Sequence, residues 1–235
     1  MAILDVKNIN AYIGTAHILR NVSLTVEEGG VTLILGRNGA GKTTIMRSVL
    51  GLTDVRSGEI LFKGKDLREL PTHLRIKAGI GYSPQDRRIF PDLTVEENIK
   101  MASWLRGVKD VEDVMKIVYS IFPELERMKG RKGLFLSGGE QKMLAIARAL
   151  ASKPSLLLLD EPFEGLAPVL CKRLLEKVLE IRRMGVAMLI AESNISLIPE
   201  FTEKLYVLER GEIVYIGGPK ELYENENVMK IIRGY

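Results

Sequence analysis

A continuous apolar run, VTLIL at 31 to 35, leads straight into GRNGAGKT at 36 to 43, and a helix-forming segment follows to Leu50. No other feature limits the fold so tightly. Five residues without alternation, four of them apolar, read as a strand covered on both faces, and Gly51 reads as the cap that closes the helix. The loop between them matches GxxxxGK[ST], in which glycines let backbone N–H groups converge on phosphate oxygens at a helix N-terminus. Gly36, Arg37, Asn38, Gly39, Ala40, Gly41, Lys42, Thr43 and Thr44 are therefore candidate phosphate contacts. Lys42 supplies a point charge for β and γ phosphates, and the Thr43 hydroxyl suits magnesium. A glycine-rich turn with a solvated lysine is the plain structural alternative.

Around this unit the periodicity changes along the chain. Residues 3 to 35 read as strands, with alternation in NVSLTV at 21 to 26 predicting a sheet exposed on one face. GEILF at 58 to 62 and GIGYS at 79 to 83 read as further strands. From 92 to 150 the pattern is helical, opened by a Thr94/Glu97 capping pair, with a second helix over VEDVMKIVYSIF. Buried strands recur in SLLLL at 155 to 159 and VAMLIA at 186 to 191, separated by a helix over 168 to 184 with Leu170, Leu174, Val178 and Ile181 on one face. KLYVLE and EIVYIG predict a terminal hairpin, and two short helices follow. Apolar strands separated by helices imply an α/β fold with a mainly parallel sheet.

Composition narrows the classes. The 235 residues are 46% hydrophobic and 27% charged, enough to bury a core without disulfides or metals. A net charge of +4, scattered apart from Arg127, Lys129, Arg131 and Lys132, is too mild to imply nucleic acid. That cluster reads as solvated surface. No apolar stretch reaches the roughly 20 residues that cross a bilayer, and MAILDVKNIN does not read as a secretory signal. Cys171 stands alone, so no internal disulfide is possible; it reads as a packing residue, and the usage suits a reducing cytosol.

Two further motifs carry chemistry. LLLLDEP at 156 to 162 ends a buried strand in two carboxylates, at the sheet edge where open α/β folds bind ligands. Asp160 is placed to hold magnesium through water, and Glu161 to orient or deprotonate an attacking water. A charge pair at a helix start is the bland alternative. In LSGGEQ at 136 to 141, Ser137 and Glu140 have capping-box spacing, while Gly138 and Gly139 leave the helix N–H groups open to an anion.

Taken together and in this order, the phosphate loop, LSGGE and LLLLDEP resemble the ATP-binding subunit of an ABC transporter over essentially the whole chain. The resemblance implies a RecA-like P-loop NTPase core (1–85 and 154–235) with an N-terminal antiparallel β subdomain, and an inserted all-helical subdomain (86–153). It implies ATP and Mg2+ as cofactors, and two nucleotides sandwiched in a dimer, with Ser137, Gly138, Gly139 and Glu140 serving the partner's nucleotide. It further implies that Tyr12 stacks on adenine, and that Gln85 reaches magnesium and the attacking water. A core or hairpin tyrosine and a polar turn residue are the respective alternatives.

The chain departs from that family at two places. Ser193, in AESN, stands where most members have a histidine that contacts the γ phosphate, and no histidine follows His73. A neutral hydroxyl cannot donate the charged hydrogen bond of an imidazolium, so slow hydrolysis at this chain's own site is expected. Phe163 and Ala167 in PFEGLAP replace the usual small residue and terminal Asp of the dimer-contact loop, which puts communication between the sites in doubt.

RRIFPDLTVEEN and EGLAPVL resemble one branch of the family, the second ATP-binding subunit of branched-chain amino-acid importers. The resemblance then implies a peripheral cytoplasmic protein on the inner face of the membrane. Its partners would be a second ATP-binding subunit, two permease subunits met through Gln85 to Phe90, and indirectly an extracytoplasmic solute-binding protein. For Arg87 and Arg88 a solvated loop is the alternative. A urea or short-chain amide importer remains a second reading; a non-transport ABC ATPase or a small-molecule kinase lacks supporting motifs.

Overall fold

The alternating N-terminal segments form two long strands, β1 (Ala2–Ile13) and β2 (Ala16–Glu27), paired antiparallel. Leu4, Val6, Val22, Leu24 and Val26 are buried between this ribbon and the rest of the protein, and the polar face is solvated, as period-two alternation dictates. The computed structural model describes residues 1–233. Next comes β3 (Val31–Leu35), all five residues buried, then α1 (Lys42–Leu50), closed by Gly51 in the left-handed conformation. β4 (Asp54–Phe62) and β5 (Lys65–Asp66) complete the antiparallel sheet in the order β2-β1-β4-β5. α2 (Thr72–Ala78) leads into β6 (Ile80–Ser83).

The helical stretch contains α3 (Val95–Arg106), α4 (Val111–Ile121), α5 (Pro123–Arg127) and α6 (Gly138–Ala151). The Thr94 hydroxyl accepts from the Glu97 N–H at 3.2 Å while the Glu97 carboxylate accepts from the Thr94 N–H at 2.7 Å, satisfying two otherwise orphaned donors. Ser137 and Glu140 close the same reciprocal box at the start of α6. The basic residues Arg127, Lys129, Arg131 and Lys132 are exposed.

The remaining elements alternate: β7 (Leu156–Asp160), α7 (Pro168–Arg183), β8 (Ala187–Glu192), β9 (Lys204–Glu209), β10 (Glu212–Gly217), α8 (Pro219–Glu224) and α9 (Glu226–Arg233). The second sheet has the order β10-β9-β3-β8-β7-β6, parallel except for β10 on its edge. Apart from β10 at the edge, its strands are covered on both faces. Leu33, Leu157, Leu159 and Ile190 pack with α3 to α7, whereas Ile34, Leu156, Leu158 and Leu189 pack with α1 and the antiparallel sheet. That double burial is why these strands read as unbroken apolar runs.

The fold is the expected α/β architecture, with differences in detail. α2, α5 and β5 carry no periodicity long enough to read from sequence. On α7 the buried stripe is Cys171, Leu174, Val178 and Ile181, and Leu170 is only half-buried, turned toward Gly139 instead. β3, β7 and β8 end together, with Asp160 beside Ala191 and Leu35 beside Glu192, so one sheet edge gathers the chemistry-bearing residues.

Candidate functional site

The phosphate loop leaves β3 under close constraint. The Gly36 N–H donates to the Glu192 carbonyl at 3.2 Å, and a Cβ on Gly36 would stand 2.4 Å from the Leu208 carbonyl oxygen, so only glycine fits. Gly41 has φ 112°, a value side chains rarely adopt, and it caps α1 without a side-chain acceptor, leaving the first N–H groups of the helix available. Lys42 is buried. Its ammonium donates to the carbonyls of Gly36 at 2.7 Å and Arg37 at 3.2 Å and lies 3.1 Å from Glu161 Oε1.

The end of β7 meets this loop. The Thr43 hydroxyl donates to Asp160 Oδ1 at 3.1 Å, and the Tyr82 hydroxyl, from β6, donates to Asp160 Oδ2 at 3.2 Å. Burial raises the Asp160 pKa, and these two hydrogen bonds oppose the rise. Glu161 is also buried, and its φ of 47° puts a non-glycine residue in the left-handed region, a conformation held by its surroundings. Its second carboxylate oxygen accepts from the Ser193 hydroxyl at 3.0 Å. Gln85 donates to Glu164 at 2.8 Å and borders the same space. Ala40 and Thr44 are buried within the loop and helix start, whereas Arg37, Asn38 and Gly39 are exposed.

A cavity of about 420 Å³ is lined by Gly39, Gly41, Lys42, Thr43, Gln85 and Glu161 and also by the apolar Ile13 and Ile18. The donor set fits a nucleotide triphosphate: open helix N–H groups, one ammonium, and a hydroxyl beside a carboxylate. The oxygens of Thr43 and Asp160 also suit magnesium, a hard cation that commonly takes one or two protein oxygens and completes its shell with phosphate and water.

Tyr12 is placed differently from the expectation. Successive side chains of β1 alternate faces, so Tyr12 and Ile13 point opposite ways. The Tyr12 ring stacks on His17 at 4.4 Å and carries the Arg56 guanidinium 3.9 Å from its centre, so its faces are already covered. Ile13, half-exposed, is the residue that borders the cavity. Ser137 caps α6, and Gly138, Gly139 and Glu140 form its first turn, Gly138 near Arg87 and Gly139 near Leu166 and Leu170; none of the four lines that cavity. The Glu140 carboxylate accepts the Ser137 N–H at 2.7 Å, which commits it to capping.

Four further residues went unnoticed in the sequence. Tyr82 could have been found from strand parity, whereas the pairing shifts of β1 hide that parity at Ile13. Lys142 and Glu192 had no local signal, because each is defined by what the tertiary fold packs around it.

A family model described as ABC transporter matches residues 19–164. The chain belongs to the ABC transporter family. This ABC transporter ATP-binding chain is 40% identical to the high-affinity branched-chain amino acid transport ATP-binding protein BraG of Pseudomonas aeruginosa, over 90% of this chain and 91% of that protein. It is 35% identical to the lipopolysaccharide export system ATP-binding protein LptB of Escherichia coli K12, over 100% of this chain and 98% of that protein. Its fold superposes on the crystal structure of the ADP conformation of an ATP-binding cassette of an ABC transporter with a TM-score of 0.85 at 29% identity, covering both chains fully. No described helix of the ABC transporter chain is long and apolar enough to cross a membrane.

Proposed function

We propose that this chain binds MgATP on residues 36–44 and hydrolyses it to drive a branched-chain amino-acid importer, as the second of two ATP-binding subunits. The observation that carries the site reading is the meeting of Lys42 with Glu161 at 3.1 Å and of Thr43 with Asp160 at 3.1 Å, two contacts between loop and strand end more than a hundred residues apart. In this reading the phosphates lie on the N–H groups of Gly39, Gly41 and Lys42, and Thr43, Asp160 and Gln85 hold the magnesium ion. Magnesium supplies charge neutralisation on the phosphates. Glu161 orients the attacking water and accepts its proton, and Ser193 fixes the Glu161 carboxylate through its hydroxyl.

The core is assigned to 1–85 and 154–235 and the helical subdomain to 86–153. Ser137, Gly138 and Gly139 then complete the site of a second ATP-binding subunit, and the segment from Gln85 to Phe90 meets two permease subunits at the inner face of the membrane. An extracytoplasmic binding protein selects the solute. The similarity to BraG supports leucine, isoleucine and valine as cargo. A second reading, an export ATP-binding subunit, is supported by similarity to LptB along the whole chain.

Uptake of labelled leucine in a strain lacking this chain separates the two. Loss of uptake, restored by the wild-type chain and not by Lys42→Ala, supports the importer. Intact uptake with failed lipopolysaccharide delivery favours the exporter and refutes the first reading.

A further inference from the structure

The loop that carries Glu161 is gripped from two sides by buried ionisable side chains that the reaction itself does not use. Lys142, on α6, is 4% exposed. Its ammonium donates to the Glu161 carbonyl and, at 2.8 Å, to the Glu164 carbonyl. Burial pushes its pKa down, the expected response of a cation that is surrounded by protein rather than water. From β8, Glu192, its fully buried last residue, accepts the Phe163 N–H at 3.2 Å through Oε1, while Oε2 has no partner among the described residues. Its carboxyl is pushed up to about 8, mainly by burial and also by the Glu161 charge, so it stands as a neutral acid at pH 7.

A buried ammonium and a buried carboxyl are expensive features for a packing role, which apolar side chains of similar volume fill at least as well. What this pair does supply is geometry. Three backbone groups within four consecutive residues, the carbonyls of 161 and 164 and the N–H of 163, are fixed by it. Glu161 sits there with φ 47°, a conformation that persists only where neighbours impose it. Turning that backbone would swing the carboxylate away from Lys42 and Ser193, its contacts at 3.1 and 3.0 Å. Lys142 also follows Ser137 to Glu140 by little more than a turn on the same helix, so the segment assigned to the partner's nucleotide is tied to the residue assigned to this chain's own.

We propose that Lys142 and Glu192 are positioning residues that clamp the Glu161 loop, making α6 and the Glu161 carboxylate one mechanical unit that links the two ATP sites. The inference rests on the reading of Glu161 as general base.

The test is steady-state ATP turnover and fluorescent-nucleotide affinity, measured in the assembly where the wild-type chain is fastest. Lys142→Met is expected to lower kcat on the order of 100-fold, the effect of a misplacement of about 1 Å, with nucleotide affinity unchanged. Glu192→Leu acts the same way from the other side, whereas Glu192→Gln, which keeps the acceptor for Phe163, retains the wild-type rate. In a Glu161→Gln background Lys142→Met adds nothing, because its effect passes through the lost carboxylate. Unchanged kcat in both Lys142→Met and Glu192→Leu overturns the clamp, and so does an equal loss with and without Glu161. Should Glu161→Gln alone leave turnover intact, the general-base reading fails instead, and the clamp with it.

Discussion

Replacing Glu192 by glutamine is expected to stabilise the protein increasingly as pH rises. The carboxyl ordinarily titrates near 4.5, but in the fold it is held up to about 8, chiefly because burial disfavours its charged form. A folded value above the unfolded one means that the native state binds the proton more tightly. Its contribution is therefore intact below pH 4.5 and is lost progressively as pH climbs through about 8. Moving from 4.5 to about 8 corresponds to about 5 kcal/mol, most of which is already lost at neutral pH. Glutamine has the same shape, keeps an oxygen for the Phe163 N–H and never ionises. Urea unfolding of both proteins is thus expected to show the variant ahead by about 1 kcal/mol at pH 5.5, about 3 at pH 7 and about 5 at pH 9. The Lys142 ammonium and the Glu161 carboxylate both face this group, and their opposing effects on its charged form are already contained in the raised value, so they enter the difference only through it. A difference that stays flat from about pH 5.5 to about pH 9 would refute the assignment of a neutral, buried acid at this position.

Lys42→Ala removes the ammonium that bridges the loop carbonyls and Glu161; loss of nucleotide retention is expected, with destabilisation of about 3–5 kcal/mol from the stranded buried carboxylate. Fluorescent-nucleotide binding and urea melts check both, and unchanged affinity contradicts the phosphate-loop assignment. Glu161→Gln is expected to slow turnover and accumulate ATP-bound dimers on gel filtration, and an unaltered rate removes Glu161 as base. Ser193→His is expected to leave turnover no lower than wild type, read by phosphate release, because an imidazole can supply the charged donor that a hydroxyl cannot. Thr94→Ala breaks the reciprocal cap of α3 and is expected to cost about 1 kcal/mol in thermal or urea unfolding.

The parts of this molecule that could be read from sequence are those whose pattern is local. Val31 to Leu35 is apolar but for Thr32 because both faces of its sheet are covered, and GRNGAGKT states its own turn and helix start. Thr94/Glu97 and Ser137/Glu140 declare their helices through spacing alone. Tyr12 shows where local pattern fails. One position along a strand reverses the face, and the shifts in β1 pairing between Val6 and Tyr12 hide that parity from any count along the chain. Cys171 and Leu170 differ in the same way, by one step around a helix. Lys142 and Glu192 are harder still, because a lysine within a helix and an acid after a strand ordinarily read as solvated, and only the packing of α6 against the strand ends makes them buried.

The contacts of Lys42 also constrain the order of events on the proposed reading. An ammonium has three N–H donors, and here three acceptors meet it: the Gly36 carbonyl, the Arg37 carbonyl and Glu161 Oε1. A phosphate oxygen that recruits Lys42 must displace one of them. The two carbonyls belong to the loop itself and are held by its turn, so the Glu161 side chain is the contact that yields. Exchanging a carboxylate for a phosphate keeps the buried ammonium compensated, whereas Glu161 gives up its cation and keeps only a neutral hydroxyl from Ser193. On that reading the arrival of the nucleotide and the release of the Glu161 carboxylate from Lys42 are a single event, transmitted through one side chain, while the backbone of Glu161 stays fixed by the grip of Lys142 on its carbonyl.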